Sequence, residues 1–388
     1  MNSYLTIEGV KRTIFGTGAV NQIGQECKAL GVSRLLLVMD RNLSKTDILV
    51  QLKGLFKKDK IKTAVYPEVT PEPDPKIADG GAELAKKERV DAVLGVGGGS
   101  TMDVAKAIAV LVKNEGKAVD YIGLGLIKKP GLPTIMVPTT AGTGSEVTFT
   151  AVFTMRDTKS KGGINSPFLY PHTAILDPKL TLDLPPDVTA YTGMDALTHA
   201  IESFTSLNSH FMSEPISLKS IEMISSNLRG AVADGNNIEF RENMMKGSYM
   251  AGLGLAMSGV GAVHALAYPL GALFDIPHGI ANAVMLPYVL EYNYTGNTDK
   301  FSQVTMAMVG DVGGYSIQAK AELAAQVVFD LAADIGIPRT LNELNIPEDI
   351  IPKMAEEAMK VERPILNNPK PMNAKIAEDI YRKAFGGD

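Results

Sequence analysis

The sequence predicts an N-terminal α/β domain built on a mostly parallel sheet, followed by an all-helical C-terminal domain. Three observations carry this. Apolar runs of strand length alternate with amphipathic helical stretches through the first half of the chain. After about residue 186 the texture turns to long segments of helical periodicity with few β-branched runs. The length, 388 residues, exceeds what one typical core serves. The domains are set at 1–186 and 187–388, with LTLDLPP at 180–186 supplying the proline stop between them.

In chain order, residues 34–40 (RLLLVMD) have the pattern of a buried strand, with a helix after it over 44–56. A second strand over 61–66 precedes a helix over 75–88. A third, 91–96 (DAVLGV), runs into consecutive glycines and a helix over 102–112. Further strands are expected over 133–138, 147–154 and 173–176. Strands separated by helices of this length form βαβ units, whose crossovers make the strands parallel. Beyond 186, helices are expected over 194–205, 215–232, 240–256, 260–274 and 319–335.

Composition narrows the function. A chain that is 45% hydrophobic and 21% charged with net charge −5 is ordinary globular material. No basic run interleaved with aromatics appears, so a nucleic-acid partner is not indicated. No apolar stretch reaches the length of a membrane span, and residues 1–10 lack the layout of a signal peptide. Cys27 is the single cysteine, which points to a reducing, cytoplasmic setting.

Two segments have the chemistry of a dinucleotide site. Gly97-Gly98-Gly99-Ser100 follows a strand and opens a helix; without Cβ atoms, a pyrophosphate can approach the backbone N–H groups there. Ser100 or Thr101 is placed to cap that helix. Thr139, Thr140, Gly142, Thr143 and Gly144 follow another strand and suit a polar edge along a ribose–phosphate chain. In an open α/β sheet, ligands gather at the carboxyl ends of strands, so the two segments are read as one site. Asp40 ends the first strong strand, where a carboxylate accepts from ribose hydroxyls and repels a 2′-phosphate. That favours NAD(H) over NADP(H), although the neighbouring Arg41 softens the preference.

The chain has five histidines, His172, His199, His210, His264 and His278. Asp195 and His199 stand four apart, on one face of a helix, close enough to share a cation. A carboxylate with imidazoles suits Fe²⁺ or Zn²⁺. Spacing alone leaves open which of the other histidines join them.

GGGSTMD at 97–103, PTTAGTGSEVT at 138–148, DPKLTLDLPP at 177–186, TGMDALTHAIE at 192–202, GAVHALA at 261–267, PHGIANAVMLP at 277–287 and NNPKPMNAKIAEDIY at 367–381 together resemble the iron-containing (group III) alcohol dehydrogenase family. The resemblance covers nearly the whole chain. It implies a dehydroquinate-synthase-like fold, a Rossmann-like domain followed by a helical one, with the active site in the cleft between them. It assigns Asp195, His199, His264 and His278 as the metal ligands, and through the metal as the catalytic set. It places Gly97, Gly98, Ser100, Asp103, Thr139, Thr140, Thr143 and Lys161 around the dinucleotide. The implied activity is hydride transfer between NAD(H) and a small primary alcohol, diol or aldehyde by a homodimer or larger oligomer. Fe²⁺, with Zn²⁺ as the alternative, would act as the Lewis acid. A single carboxylate against a divalent ion would leave the site positive.

The chain departs from the family pattern at Tyr268, where many relatives carry a histidine thought to relay a proton. A phenol, with a reference pKa of about 10 against about 6.5 for imidazole, is a poor relay at neutral pH. Leu255 and Met257 replace residues often Phe and Asn, and with Phe149 and Thr150 they are read as the substrate pocket. Two other activities fit the same motifs: a hydroxyacid–oxoacid transhydrogenase, and a non-catalytic nucleotide- or metal-binding descendant, to which Tyr268 points. A lyase acting on a phosphorylated, carboxylated substrate is discounted, because the metal-site segments lack a Lys/Arg cluster.

Overall fold

The computed structural model of the chain describes residues 5–158 and 160–386. They divide into two compact units: one runs to Thr140 and resumes over Ser145–Thr181, the other takes Ala141–Gly144 and everything from Leu182 onward. The division therefore falls a few residues ahead of the proline stop, and the segment 141–144 belongs with the helices.

The first unit contains strands β1 (Arg12–Phe15), β2 (Arg34–Asp40), β3 (Lys62–Val69), β4 (Ala92–Gly97), β5 (Gly123–Leu124), β6 (Thr134–Pro138), β7 (Thr150–Met155), β8 (Ser160–Asn165) and β9 (Thr173–Leu176). Its helices are α1 (Ile23–Ala29), α2 (Asp47–Lys58), α3 (Pro75–Glu88) and α4 (Gly99–Leu111). Six strands form one parallel sheet in the order β1-β9-β6-β4-β2-β3. The other three form a small sheet, β5-β8-β7.

Strand periodicity explains the packing. Leu35, Leu37 and Met39 of β2 share a core with Ile23 and Cys27 of α1 and Leu52 and Phe56 of α2. The alternate residues Leu36 and Val38 join Ala78 and Ala82 of α3 and Val104 and Ile108 of α4. A sheet covered on both faces has no polar face to write into its strands, which is why RLLLVMD reads as one apolar run. Asp74 caps α3 by accepting from the Lys76 N–H at 2.9 Å, and Pro75 presets the first turn.

The second unit is helical: α5 (Pro186–Thr205), α6 (Ser213–Ala233), α7 (Ile238–Ser258), α8 (Ala262–Phe274), α9 (His278–Asn293), α10 (Thr298–Val309), α11 (Ile317–Asp334), α12 (Ile351–Met359), α13 (Glu362–Asn367) and α14 (Ala374–Gly386). From Gly193 to Thr205 every residue of α5 is buried. Thr198 and Thr205 are satisfied within the helix, donating to carbonyls four residues back at 2.8 and 2.9 Å, and Ser203 donates to the Gly259 carbonyl at 3.4 Å. Between α7 and α8 the axis turns by 105°. Gly259 makes that turn with φ +73°, where a Cβ would lie 2.4 Å from the Asn367 amide nitrogen. No single helix among the described residues is long and apolar enough to cross a membrane.

Several elements differ from expectation. The strand expected over 147–154 begins at Thr150, because Ser145–Val147 forms a 3-10 turn. The first helix of the second unit starts at Pro186, well before residue 194. Helix α9 is absent from the sequence reading because Gly279 and Pro287 look like breakers; Pro287 nevertheless lies inside the helix, buried in the core. Strands β1 and β8 also escape it. β1 is short and lies at the sheet edge, while β8 (SKGGIN) carries polar residues and glycines that rank low as strand formers.

Candidate functional site

In the helical unit, four predicted ligands converge. Asp195 and His199 project from α5 one turn apart, His264 comes from the first turn of α8, and His278 opens α9. One ligand atom each from Asp195, His199 and His264 lies within 4.8 Å of the others, and all three residues are buried. From Asp195 Oδ1, His199 Nε2 is 4.0 Å away and His278 Nε2 is 3.8 Å away. Four ligands about 2.1 Å from an ion sit about 3.4 Å apart, so these gaps close around a cation with half-ångström shifts. The rings of His199 and His264 stack at 4.7 Å, and His278 meets His264 edge-on at 5.3 Å. His172 and His210 take no part. His172 lies in the other unit and accepts from the Thr134 N–H, while His210 accepts from the Met212 N–H.

Asn282, one turn beyond His278 on α9, was not singled out from sequence. Its amide nitrogen stands 2.7 Å from Asp195 Oδ1, 3.1 Å from His264 Nε2 and 3.2 Å from His278 Nε2. An amide has two N–H hydrogens for these three positions, so they cannot all be served at once. A divalent cation serves several converging lone pairs together, and on this ground the residues fit a metal. The Asn282 carbonyl oxygen, buried and without a hydrogen-bond partner, adds to the local imbalance.

Electrostatics agree. Burial works against the ionised Asp195 carboxyl, but the imidazoles, His199 foremost, and the Asn282 amide outweigh it and hold the group low. Burial also pushes His199 down, towards the neutral imidazole that a ligand requires. Glu202, the last residue of TGMDALTHAIE, changes the charge count. It is buried, and its Oε2 lies 2.5 Å from His264 Nδ1. Glu202 thus sets a second carboxylate behind His264, beside the one that Asp195 would offer to an ion. The signal for Glu202 was its place one turn beyond His199 on a buried helix.

Tyr268 lies one turn beyond His264 on α8, half-buried, its ring 5.8 Å from that of His278. Leu255 and Met257 are half-buried on α7. Phe149 and Thr150 belong to the sheet unit, where Phe149 packs on Tyr170 at 5.4 Å and the Thr150 hydroxyl donates to Asn165 Oδ1 at 2.8 Å.

In the sheet unit, Asp40, Gly97 and Pro138 end the neighbouring parallel strands β2, β4 and β6. Their carboxyl ends thus line one sheet edge in that order. Gly97 has φ +157°, and a Cβ there would lie 2.5 Å from Thr101 Oγ1. Gly98 caps α4 with no side chain accepting at the cap, so Ser100 and Thr101 do not cap the helix as expected; both lie within its first turn. The first N–H groups of α4 are left to donate to an anion's oxygens. The Thr139 N–H donates to the Gly97 carbonyl at 3.0 Å, tying the two loops. Thr140 lies beside Gly98, whereas Thr143 groups with the helical unit. Asp40 Oδ1 accepts from the N–H groups of Asn42 and Leu43 at 2.8 and 2.9 Å, and Arg41 pairs with Glu68 at 2.5 Å.

Two expected cofactor contacts are engaged by the protein. Lys161 is buried and paired with Glu72 at 2.6 Å. Asp103 accepts from Ser145 Oγ at 2.5 Å and the Val152 N–H at 2.9 Å, and pairs with Lys106 at 3.1 Å. Lys106 is fully buried in α4 and also donates to the Ser145 carbonyl at 3.0 Å. Burial pushes its ammonium down, against Asp103. Beside it Glu146 is buried and its carboxyl is pushed up to about 7 by burial. The sequence reading missed this pair, although a lysine inside an apolar helix three residues after Asp103 was a visible signal.

Known proteins are similar to this chain over nearly its whole length. A family model described as iron-containing alcohol dehydrogenase matches residues 11–178, and one described as the Fe-containing alcohol dehydrogenase family, C-terminal, matches 189–385. The long-chain-alcohol dehydrogenase 1 of Geobacillus thermodenitrificans (strain NG80-2) is 39% identical over 96% of this chain and 94% of its own. A crystal structure of a 1,3-propanediol oxidoreductase superposes with a TM-score of 0.96 at 36% identity, covering 98% of this chain and 100% of that one. The sulfoacetaldehyde reductase of Bifidobacterium kashiwanohense, in complex with NAD+, superposes with a TM-score of 0.90 at 30% identity over 100% of both chains.

Proposed function

The chain belongs to the iron-containing alcohol dehydrogenase family, and from that premise we propose that it passes a hydride between NAD(H) and a small primary alcohol, diol or aldehyde. The observation that carries the reading is the meeting of Asp195, His199, His264 and His278 around one point in the helical unit. Fe²⁺ is the proposed ion, with Zn²⁺ as the alternative the donor set also accepts. When bound, the ion supplies Lewis-acid polarisation of the alcohol or aldehyde oxygen.

The chain's own residues do the rest. Gly97, Gly98 and Ser100 offer backbone N–H groups to the pyrophosphate, with Thr139, Thr140 and Thr143 along the ribose–phosphate chain. Asp40 takes the adenosine ribose hydroxyls. Arg41 is drawn off by Glu68, so little positive charge remains to welcome a 2′-phosphate, and NAD is preferred to NADP. Asp103 and Lys161 act from behind, through Ser145, Val152 and Glu72. Leu255 and Met257 on α7 offer apolar surface suited to a small substrate, and Phe149 and Thr150 are the corresponding candidates in the sheet unit. With no imidazole at Tyr268, the proton leaves through water and the ribose hydroxyls. The enzyme is placed in the cytoplasm, where a buried single cysteine, its thiol pushed up to about 12 by burial, stays inert. Assembly as a homodimer or larger oligomer rests on the family likeness alone.

The test is NAD reduction over a panel of C2–C4 alcohols and diols, before and after chelation, with Fe²⁺ and Zn²⁺ added back. Activity that is lost with the ion and restored by it is expected. Full activity after chelation removes the metal from the reaction, and no turnover of free NAD+ with any alcohol refutes the activity.

A further inference from the structure

The C-terminal segment NNPKPMN takes no part in the reaction just described, yet it reaches the ion site through Asn368. This side chain is buried and joins the two helices that carry His264 and His278. Its Oδ1 accepts from the Ala262 N–H at the start of α8, at 3.2 Å, and from Asn293 Nδ2 at the end of α9, at 2.8 Å. Its Nδ2 donates back to Asn293 Oδ1 at 2.8 Å and to the Lys370 carbonyl at 2.7 Å. Glu202 makes the matching link from α5, the helix of Asp195 and His199. Its Oε1 accepts from the Val263 N–H at 2.6 Å, and its Oε2 faces His264 Nδ1 at 2.5 Å. The two side chains meet at Gly261, where a Cβ would lie 3.0 Å from Glu202 Oε1 and 3.2 Å from Asn368 Oδ1.

We propose that Glu202 and Asn368 are the positioning residues of the ion site, a carboxylate–amide clamp that locks α5, α8 and α9 in register and holds His264 in the tautomer that binds metal. The inference rests on the metal reading above. A carboxylate at Nδ1 keeps the imidazole proton there, which leaves the Nε2 lone pair turned inward, towards Asp195 and Asn282. Only a group with two acceptor oxygens serves both the Val263 N–H and the His264 Nδ1–H. Glutamine has the same shape and one acceptor. With its oxygen on Val263, its NH₂ faces Nδ1, the ring proton moves to Nε2, and the ligand lone pair is lost. With its oxygen on Nδ1, the NH₂ opposes the Val263 N–H and the start of α8 shifts.

The experiment loads the full-length protein with Zn²⁺ and follows release to an excess of coloured chelator, alongside apo-protein melting and the visible spectrum of the Co²⁺ form. Glu202→Gln should release Zn²⁺ about ten- to a hundred-fold faster, the range seen when partners of metal-bound histidines are removed. Its Co²⁺ bands should change while the apo protein melts as the wild type does. Asn368→Ala, which touches no ligand, should also speed release and decides the matter if Glu202→Gln does not fold. Release at the wild-type rate overturns the clamp. So does faster release that merely follows a lower apo melting temperature with unchanged Co²⁺ bands. A wild-type protein that takes up neither Zn²⁺ nor Fe²⁺ overturns the clamp together with the metal reading, whereas tight binding by wild type and variant alike overturns the clamp alone.

Discussion

Replacing Glu146 with glutamine isolates one buried proton in the sheet unit. Burial raises its carboxyl from the ordinary 4.5 to about 7, with Lys106 offsetting only part of the effect. Between those values the folded protein holds a proton that the unfolded chain has released. Stability is therefore fully present below the unfolded value, falls as pH rises through the folded value, and stays lower above it. The gap, at about 1.4 kcal/mol per pH unit, amounts to about 3 kcal/mol. Glutamine cannot titrate. Its extra N–H donor costs about 1–3 kcal/mol when buried without a partner, but that cost is the same at every pH. The informative quantity is thus the melting-temperature difference between Glu146→Gln and wild type, measured at pH 5 and again at pH 8 on protein free of NAD. It should shift in favour of the variant by several degrees, at roughly 2–4 °C per kcal/mol for a domain of this size. Parallel curves across that range would refute the reasoning, since they would mean that Glu146 ionises in the folded state as it does in the unfolded chain.

Three further outcomes are expected. Asp40→Ser should lower the ratio of kcat/KM for NAD over NADP by ten-fold or more, about 1.4 kcal/mol, because the carboxylate that repels a 2′-phosphate is gone. An unchanged ratio would move the discrimination elsewhere. Gly97→Ala places a methyl 2.5 Å from Thr101 Oγ1. It should cost about 1–3 kcal/mol of stability and weaken NADH binding, both read by titrating NADH fluorescence and melting the same sample. Tyr268→His should raise kcat at pH 7 and move the basic limb of the pH–rate profile downward; an unaltered profile would show that no proton passes this position.

The parts that were legible in sequence are those governed by local rules. β2, α3 and β9 have the expected bounds because strand periodicity, an Asp-Pro cap and a short apolar run each act within a few residues. The glycine turn was legible for the same reason, although the cap expected from Ser100 or Thr101 does not form. What stayed hidden depends on the third dimension. Pro287 breaks an isolated helix, but within α9 the cost is met by burial in the core. The ligand set could not be closed by spacing, because His264 and His278 join Asp195 and His199 only through the packing of α8 and α9 on α5. Glu202 and Asn282 bear on the ion site from three residues beyond His199 and four beyond His278, spacings shared with countless pairs that do nothing.

The second carboxylate bears on which substrates the site will accept. With Asp195 among the ligands and Glu202 behind His264, a divalent ion bound there by three neutral imidazoles would give a cluster of no net charge. No lysine or arginine is among the groups that act electrostatically on Asp195 and His199. A neutral alcohol or aldehyde is drawn in by the ion acting on its own oxygen, a short-range interaction that needs no net field. A hydroxy acid or oxo acid brings a further negative charge into the same buried volume, where a charge without a partner is costly. Among the described residues, no lysine or arginine side chain acts on those two ligands to pair with it. Charge balance at the ion therefore argues for uncharged alcohols over the hydroxyacid–oxoacid exchange that the same motifs also allowed. A 2-hydroxy acid that reduced NAD+ with a kcat/KM matching that of the best C2–C4 alcohol would refute this preference.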